Sequence, residues 1–199
     1  TEMLSRAEQI AHFTLERVNR APASFDPKKL LSFQERYMQA LPVERRLELA
    51  RPFLERAGWI GSPASAAERQ RAAAVVAAAN ERLKLAGDVL DYPELFLGDD
   101  ALVYDEKAFD KRIRNAPDAA GLLAALAAEL AAAPAFDAAA LEALCARFVA
   151  ARGLGLGQIV HAVRVAVSGK AVGFGLFDIL AILGRERVAA RIERALGRL

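Results

Sequence analysis

LGLGQIVHAVRVAVSGKAVGFGLFDILAILGRERVAARIERAL, residues 154–196, sets two apolar rhythms on either side of a glycine-containing loop. Leu156, Ile159, Val160, Val163 and Val167 recur at the i, i+3, i+4, i+7 spacing of one helix face. After the loop, LFDILAILG leads into a last segment with Val188, Ile192, Leu196 and Leu199 on one side. Neither rhythm alternates with period two, so the spacing predicts helices and no strand. The loop invites a nucleotide reading, which its spacing rejects. A phosphate-binding P-loop needs four residues between its first glycine and Gly-Lys-Ser/Thr, directly after a strand. Gly169-Lys170-Ala171 has no hydroxyl, no strand ahead of it and no glycine at that distance. The glycines at 153, 155 and 157 lack the third glycine of a dinucleotide fingerprint and also follow a helix pattern. These glycines predict a joint where two helices meet at an angle.

Upstream of this stretch the pattern stays helical. EMLSRAEQIAHF, residues 2–13, predicts a short helix. In FDPKKLLSFQERYMQAL, residues 25–41, Asp26 is placed to N-cap a helix and Pro27 sits where its missing N–H costs nothing. Leu30, Phe33 and Tyr37 then recur at helical spacing, with Lys28, Lys29 and Arg36 elsewhere on the surface. VERRLELARPFLERAG, residues 43–58, predicts a helix kinked or split at Pro52 and closed by Gly58. Ser65 and Glu68 form a capping box ahead of an alanine-rich helix expected to run to about Ala86. DYPELFLGDDALVYDEKAF, residues 91–109, reads as an irregular crossing and a seam, followed by a helix near Glu106 to Arg114. Two more helices follow, capped by Asp118 and Asp137 and separated by Pro134. The expected fold is all-α, a helical bundle or cage in two subdomains, residues 1–95 and 96–199, with no Rossmann-type catalytic domain.

Composition agrees with that class. Hydrophobic residues make up 54% of the 199 positions, and alanine, a strong helix former, is the commonest of them. A single cysteine, Cys145, excludes an intramolecular disulfide and a cysteine-based zinc cluster and predicts a small buried residue. No signal peptide precedes Thr1 and no apolar run of about 18 residues could cross a bilayer, so a soluble cytoplasmic monomer is expected. The net charge of +2 hides an uneven distribution. Asp88 to Glu142 carries 12 acids and 4 bases, and Arg147 to Leu199 carries 9 bases and 3 acids. Such asymmetry points either to a polyanion partner at one end or to solvated faces without a partner.

Nothing in the sequence assembles a catalytic centre or a metal site. His12 and His161 are too far apart for a zinc-binding pair on one helix, and no GxSxG nucleophile motif occurs. The acids around Asp99-Asp100 lack the ligand spacing of a calcium loop.

Several segments together resemble one family. Val163-Arg164-Val165-Ala166, Ser168-Gly169, Phe174-Gly175-Leu176-Phe177 and Leu183-Gly184-Arg185-Glu186-Arg187 match, in order, the C-terminal end of bacterial glutamyl-tRNA synthetases. FTLERVNRAPASFDPKKL, residues 13–30, is similar to a second segment of the same family, and ARPFLERAG and ERLKLAGDV add support. The resemblance spans nearly the whole chain. The two class I signatures of the family, HIGH and KMSKS, have no counterpart here.

The resemblance implies an anticodon-binding region that holds the anticodon stem-loop of tRNA-Glu, without DNA or membrane as partners. It implies no activity for the chain alone and no cofactor of its own. ATP and magnesium would belong to the catalytic domain of the same polypeptide. Arg164 matches a family anticodon contact, and Leu176 matches a residue that packs against an anticodon base. Lys170, Gly173 and Phe174 would complete that surface, and Lys28, Lys29 and Arg36 would hold tRNA phosphates. On a helical wheel Arg164 flanks the apolar stripe, which suits an RNA contact and also a snorkelling structural arginine. Phe174 could stack on a base or join the core. Departures from the family fall at Gln34-Glu35-Arg36-Tyr37, at Gln39 and at Gly173-Phe174, where anticodon discrimination is set. They favour the alternative of a stand-alone paralogue acting as a protein-interaction or regulatory module.

Overall fold

The glycine at the end of the central stripe fixes how the last two helices meet. A computed structural model of the chain describes residues 3–199 except 20 and 23, so the start of the predicted first helix, Glu2, lies outside the described residues. Helix α8 (Gly157–Ser168) buries Ile159, Ala162, Val163, Val165, Ala166 and Val167. It ends at Gly169, in the left-handed region at φ 72°, whose N–H donates to the Val165 carbonyl 2.9 Å away. A Cβ at this position would fall on the Val103 carbonyl oxygen, far inside any real contact distance. The Gly169 carbonyl in turn accepts from the Asp105 N–H at 2.8 Å. Glycine is thus required twice, by the backbone conformation and by the strand of chain that crosses it.

Helix α9 (Leu176–Leu196) is two helices joined at Gly184, where φ 78° and ψ 164° break the spiral. Its second half buries Val188 and Ile192, as the spacing predicts, while Leu196 is half-buried and Leu199 exposed. Helices α6 (Ala119–Ala131) and α7 (Ala138–Ala150) pack on α9, and α8 lies against α6 and α9. Between them α5 (Glu106–Phe109) runs into a π-turn over Asp110–Arg114. The chain before it, residues 86–101, forms three short 3₁₀ turns, the irregular crossing that proline and acidic residues forecast. Helix α3 (Val43–Arg56) packs against α4 (Ala66–Ala79) and against the first of these turns. One cluster of buried side chains reaches from Ala50 to Ala195. The described residues form helices and turns and no strand, so the fold is all-α.

Three expectations need correcting. Pro52 does not split α3, which stays continuous through it. Pro52 and Glu48, whose carbonyl the proline leaves without a helical donor, both lie on the exposed face, where water takes the place of the missing bond. Gly58 does close that helix at φ 70°, with Gly58 N–H donating to Glu55 and Trp59 N–H to Leu54, a Schellman pair. Helix α4 stops at Ala79 and does not continue to Ala86, because Asn80 turns to φ 41°. Asp88 then reaches back to the N–H groups of Lys84 and Leu85 at 2.9 and 2.8 Å. Asp118 precedes α6 but caps nothing with its side chain, since it too sits in the left-handed region.

The other caps are formed as predicted. Asp26 accepts from Lys28 and Lys29 at the head of α2 (Pro27–Ala40), and Asp137 accepts from Ala140 at α7. Ser65 and Glu68 close their box reciprocally. Replacing Ser65 by alanine should cost about 1 kcal/mol, read as a lower urea midpoint at unchanged slope. Helix α2 is less well covered than its stripe suggests: Met38 is its one buried residue, and Leu30 and Tyr37 are 45% and 53% exposed.

The charge asymmetry proves to be internal. Arg191, 0% exposed, donates to Asp99 at 2.6 Å and to the carbonyls of Val167 and Glu94 at 2.6 and 2.8 Å. Arg187 joins it on Asp99 at 2.9 Å, and Arg194 donates to the Asp99 carbonyl. Arg198 pairs with Glu106 at 2.7 Å, Arg152 with Glu129 at 3.6 Å, and Lys170 with Glu94 at 2.8 Å. Arg185 donates to carbonyls at the end of α6. The basic C-terminal quarter is therefore bound largely to the acidic middle, so most of its charge is not free for a partner.

Candidate nucleic-acid interface

The loop between α8 and α9, residues 169–175, is held from one side by Arg164. Its Nη1 donates to the Phe174 carbonyl at 2.8 Å, and a Cβ on Gly173 would come within 3.3 Å of the same nitrogen. Arg164 is half-buried. Burial, and after it the nearby charge of Arg82, holds its pKa below the usual guanidinium range. Ser168 secures the start of the loop, donating to the Arg164 carbonyl at 2.7 Å.

The predicted site residues divide by this geometry. Arg164, Gly173 and Lys170 are gathered on the loop, but Lys170 is engaged, its Nζ donating to the Asp91 carbonyl at 2.9 Å and to Glu94. Phe174 and Leu176 are each only 4% exposed. The Phe174 ring lies 5.1 Å from that of Tyr92, tilted by 59°. In this conformation both side chains shape the loop from beneath. The surface that the loop itself presents is Val172, 78% exposed, with the backbone of Gly173 and Gly175. Lys28, Lys29 and Arg36 are exposed on α2, and Lys29 lies over the Phe33 ring. It is the C-terminal end of α2 that approaches the site, where Gln39 donates to the Asn80 carbonyl at 3.3 Å and Glu35 pairs with Lys84 at 3.0 Å. At 1.5 Å per residue, Lys28 and Lys29 stand roughly 15 Å further along the helix.

Sequence reasoning missed the turn at residues 80–84. With α4 ending early, Arg82 and Lys84 project beside the loop. They line both clefts that flank it, one of about 520 Å³ with Glu35, Asn80, Phe174 and Gly175, the other of about 410 Å³ with Tyr92, Lys170, Val172 and Gly173. Arg82 is exposed and, among the described residues, makes no hydrogen bond or ion pair. The available signal was Asn80: asparagine tolerates positive φ, so it can end an alanine-rich helix and turn the residues after it outward.

Two guanidinium groups thus adjoin Phe174 at an exposed loop, Arg164 through its carbonyl and Arg82 across the cleft, and no carboxylate bonds to either among the described residues. That arrangement suits phosphate and unstacked bases, which accept forked donors and stack on planar cations. It offers no nucleophile with a base beside it. Cys145 is buried, and burial, reinforced by Glu129, pushes its thiol up to about 11, which keeps it unreactive. No helix among the described residues is long and apolar enough to cross a membrane.

Comparison with known proteins bears directly on this surface. A family model described as an anticodon binding domain matches residues 45–196. A glutamate–tRNA ligase of Moorella thermoacetica is 35% identical over 194 residues, 98% of this chain and 39% of that protein. The glutamate–tRNA ligase of Thermobifida fusca is 37% identical over 202 residues, 100% of this chain and 41% of that protein. Among solved structures, a glutamate tRNA ligase from Elizabethkingia meningosepticum superposes with a TM-score of 0.87 at 25% identity, covering 100% of this chain and 38% of that one. The chain spans about two fifths of the length of the relatives it matches.

Proposed function

Because the chain belongs to the anticodon binding domain family, which its residues 45–196 match, we propose that it holds the anticodon loop of a tRNA, tRNA-Glu first among them. The observation that carries this reading is the pair of cations beside Phe174, Arg82 in the cleft that Phe174 lines and Arg164 bonded to the Phe174 carbonyl, neither with an acidic partner among the described residues. Arg164 would read a base while its other arm keeps the loop in place through the Phe174 carbonyl. Arg82 and the loop backbone would take the adjoining phosphates, and Lys28, Lys29 and Arg36 would meet the tRNA further out along α2. The buried Phe174 and Leu176 support this surface from below. The ligase reaction of the relatives, with its ATP and magnesium, is assigned to the part of those proteins that this chain does not match. The chain would act as a monomer and bring no cofactor of its own.

Fluorescence-anisotropy titration with tRNA-Glu transcript and anticodon-swapped transcripts, at two salt concentrations, tests the reading. Salt-sensitive binding that weakens on swapping the anticodon is the expected result, and equal affinity for every RNA would overturn it. Arg82→Ala should weaken binding about tenfold for cognate and swapped transcripts alike and flatten the salt dependence. Arg164→Lys keeps a donor for the Phe174 carbonyl but loses the planar fork, so it should narrow the ratio between cognate and swapped affinities.

A further inference from the structure

A second basic cleft opens at the far end of α8. It has a volume of about 310 Å³, and Lys111, Arg112, Gln158 and His161 lie along it with Asp118 as its single carboxylate. The π-turn of residues 110–114 places Lys111 and Arg112 there, one exposed and the other half-exposed. Their neighbour Arg114 is turned away, paired with Asp110 and reaching the Arg198 carbonyl at 3.5 Å. That pairing also occupies the acid closest in sequence. Lys111 and Arg112 themselves make no hydrogen bond or ion pair among the described residues.

This cleft and the loop-reading site lie along the same helix. His161 and Arg164 are three residues apart on α8 and share one face of the helix. Burial lowers the pKa of His161, and the charges of Arg112 and Arg164 lower it further. Arg82 acts on Arg164 in the same way. Arg82 lines the Phe174 cleft, Arg164 and His161 share α8, a helix about 18 Å long, and Arg112 and Lys111 line the second cleft with His161. Arg82, Arg164, Arg112 and Lys111 pair with no carboxylate among the described residues, and a polyanion laid along them would take up all four charges. In the C-terminal quarter Arg152, Lys170, Arg187, Arg191 and Arg198 pair with the chain's own carboxylates, whereas Arg164 pairs with none among the described residues.

We propose that the Lys111–Arg112–His161 cleft is a second RNA subsite, which binds backbone phosphates of the strand leaving the loop site. The inference rests on the RNA-binding reading above and extends it from the loop to the adjoining stem. Phosphate contacts of this kind fix register and affinity and carry no sequence information. His161, predominantly neutral at pH 7, contributes a hydrogen-bond donor to the subsite, and Lys111 and Arg112 contribute the charge.

The test uses the full chain with two labelled RNAs, the whole tRNA-Glu transcript and a loop-only oligonucleotide without the stem. The double variant Lys111→Ala/Arg112→Ala should bind the whole transcript at least tenfold more weakly, with the slope of log K against log salt reduced by about 2. Cognate and swapped transcripts should lose equally, and the loop-only oligonucleotide should bind as before. Arg112→Glu, a surface charge reversal, should give the same pattern more strongly, and an unchanged circular-dichroism melt shows that the fold is kept. Unaltered affinity and slope for the whole transcript, with Arg82→Ala still weakening it, would overturn the subsite and leave the loop reading standing. Equal losses on both RNAs would also overturn it, by placing these residues at the loop. If the unaltered chain bound neither RNA, both readings would fall together.

Discussion

Asp99→Ala is expected to lower the unfolding free energy by about 3–5 kcal/mol, among the largest effects a single substitution can have in this chain. The loss comes from Arg191, which is fully buried and would be left with its charge uncompensated. Arg187 loses the same carboxylate and retains only carbonyl partners. At 2–4 °C per kcal/mol for a chain of this size, the thermal midpoint should fall by roughly 6–20 °C. Acid should mimic the substitution. Burial alone would raise the pKa of Asp99, but its bonds to Arg187 and Arg191 outweigh that and hold it below its ordinary value of 3.8. A depressed carboxylate contributes stability in full above its unfolded pKa and loses it as pH falls through the folded one. The contribution should therefore be intact from neutral pH down to about 4 and disappear below it. Urea midpoints measured across that range should decline less steeply for Asp99→Asn than for the unaltered chain, and parallel curves would contradict the assignment.

Gly169→Ala should be comparably damaging, at about 2–5 kcal/mol. An alanine in the left-handed region costs roughly 1–2 kcal/mol, and the displaced Val103 carbonyl adds the cost of overpacking. The damage should extend beyond stability. The loop that begins at Gly169 carries Lys170, Gly173 and the Phe174 carbonyl on which Arg164 rests, so affinity for tRNA should drop even where the variant is folded. Gly153→Ala is the control: it shares the positive φ, but a Cβ there meets nothing within 4 Å. The difference between the two variants isolates the crossing of Val103. Equal midpoints for both would show that the crossing adds no cost.

Helix type was legible in the chain because it depends on local spacing. The stripe of α8, the caps at Asp26, Ser65 and Asp137 and the closing Gly58 all follow from residues within one or two turns of each other. Where the reading erred, a distant or conformational factor decided the outcome. Asn80 ends α4 by a rare backbone angle that alanine-rich flanks give no reason to expect, and that misplacement hid Arg82. Pro52 is tolerated because of the face it lies on, which is set by tertiary packing. For the candidate site, the sequence located the loop and Arg164 but assigned side chains to solvent by residue type. Burial of Phe174 and Leu176 depends on Tyr92 and the core, and the engagement of Lys170 depends on Glu94, 76 positions away. Pairings over such separations leave no periodic trace.

The coupling of the acidic middle to the basic end has a consequence during synthesis. The bonds from Arg187, Arg191, Arg194 and Arg198 reach back 88 to 97 residues, to Glu94, Leu97, Asp99 and Glu106. At about 5–20 residues per second, the middle segment waits roughly 5–20 s on the ribosome before its counter-charges are made. Throughout that interval it is a solvated, self-repelling acidic stretch, which slows premature collapse of the apolar helices on either side of it. Helix α9 is the one that locks the middle of the chain, so a product that stops before Arg191 should remain open and be degraded as a nascent chain.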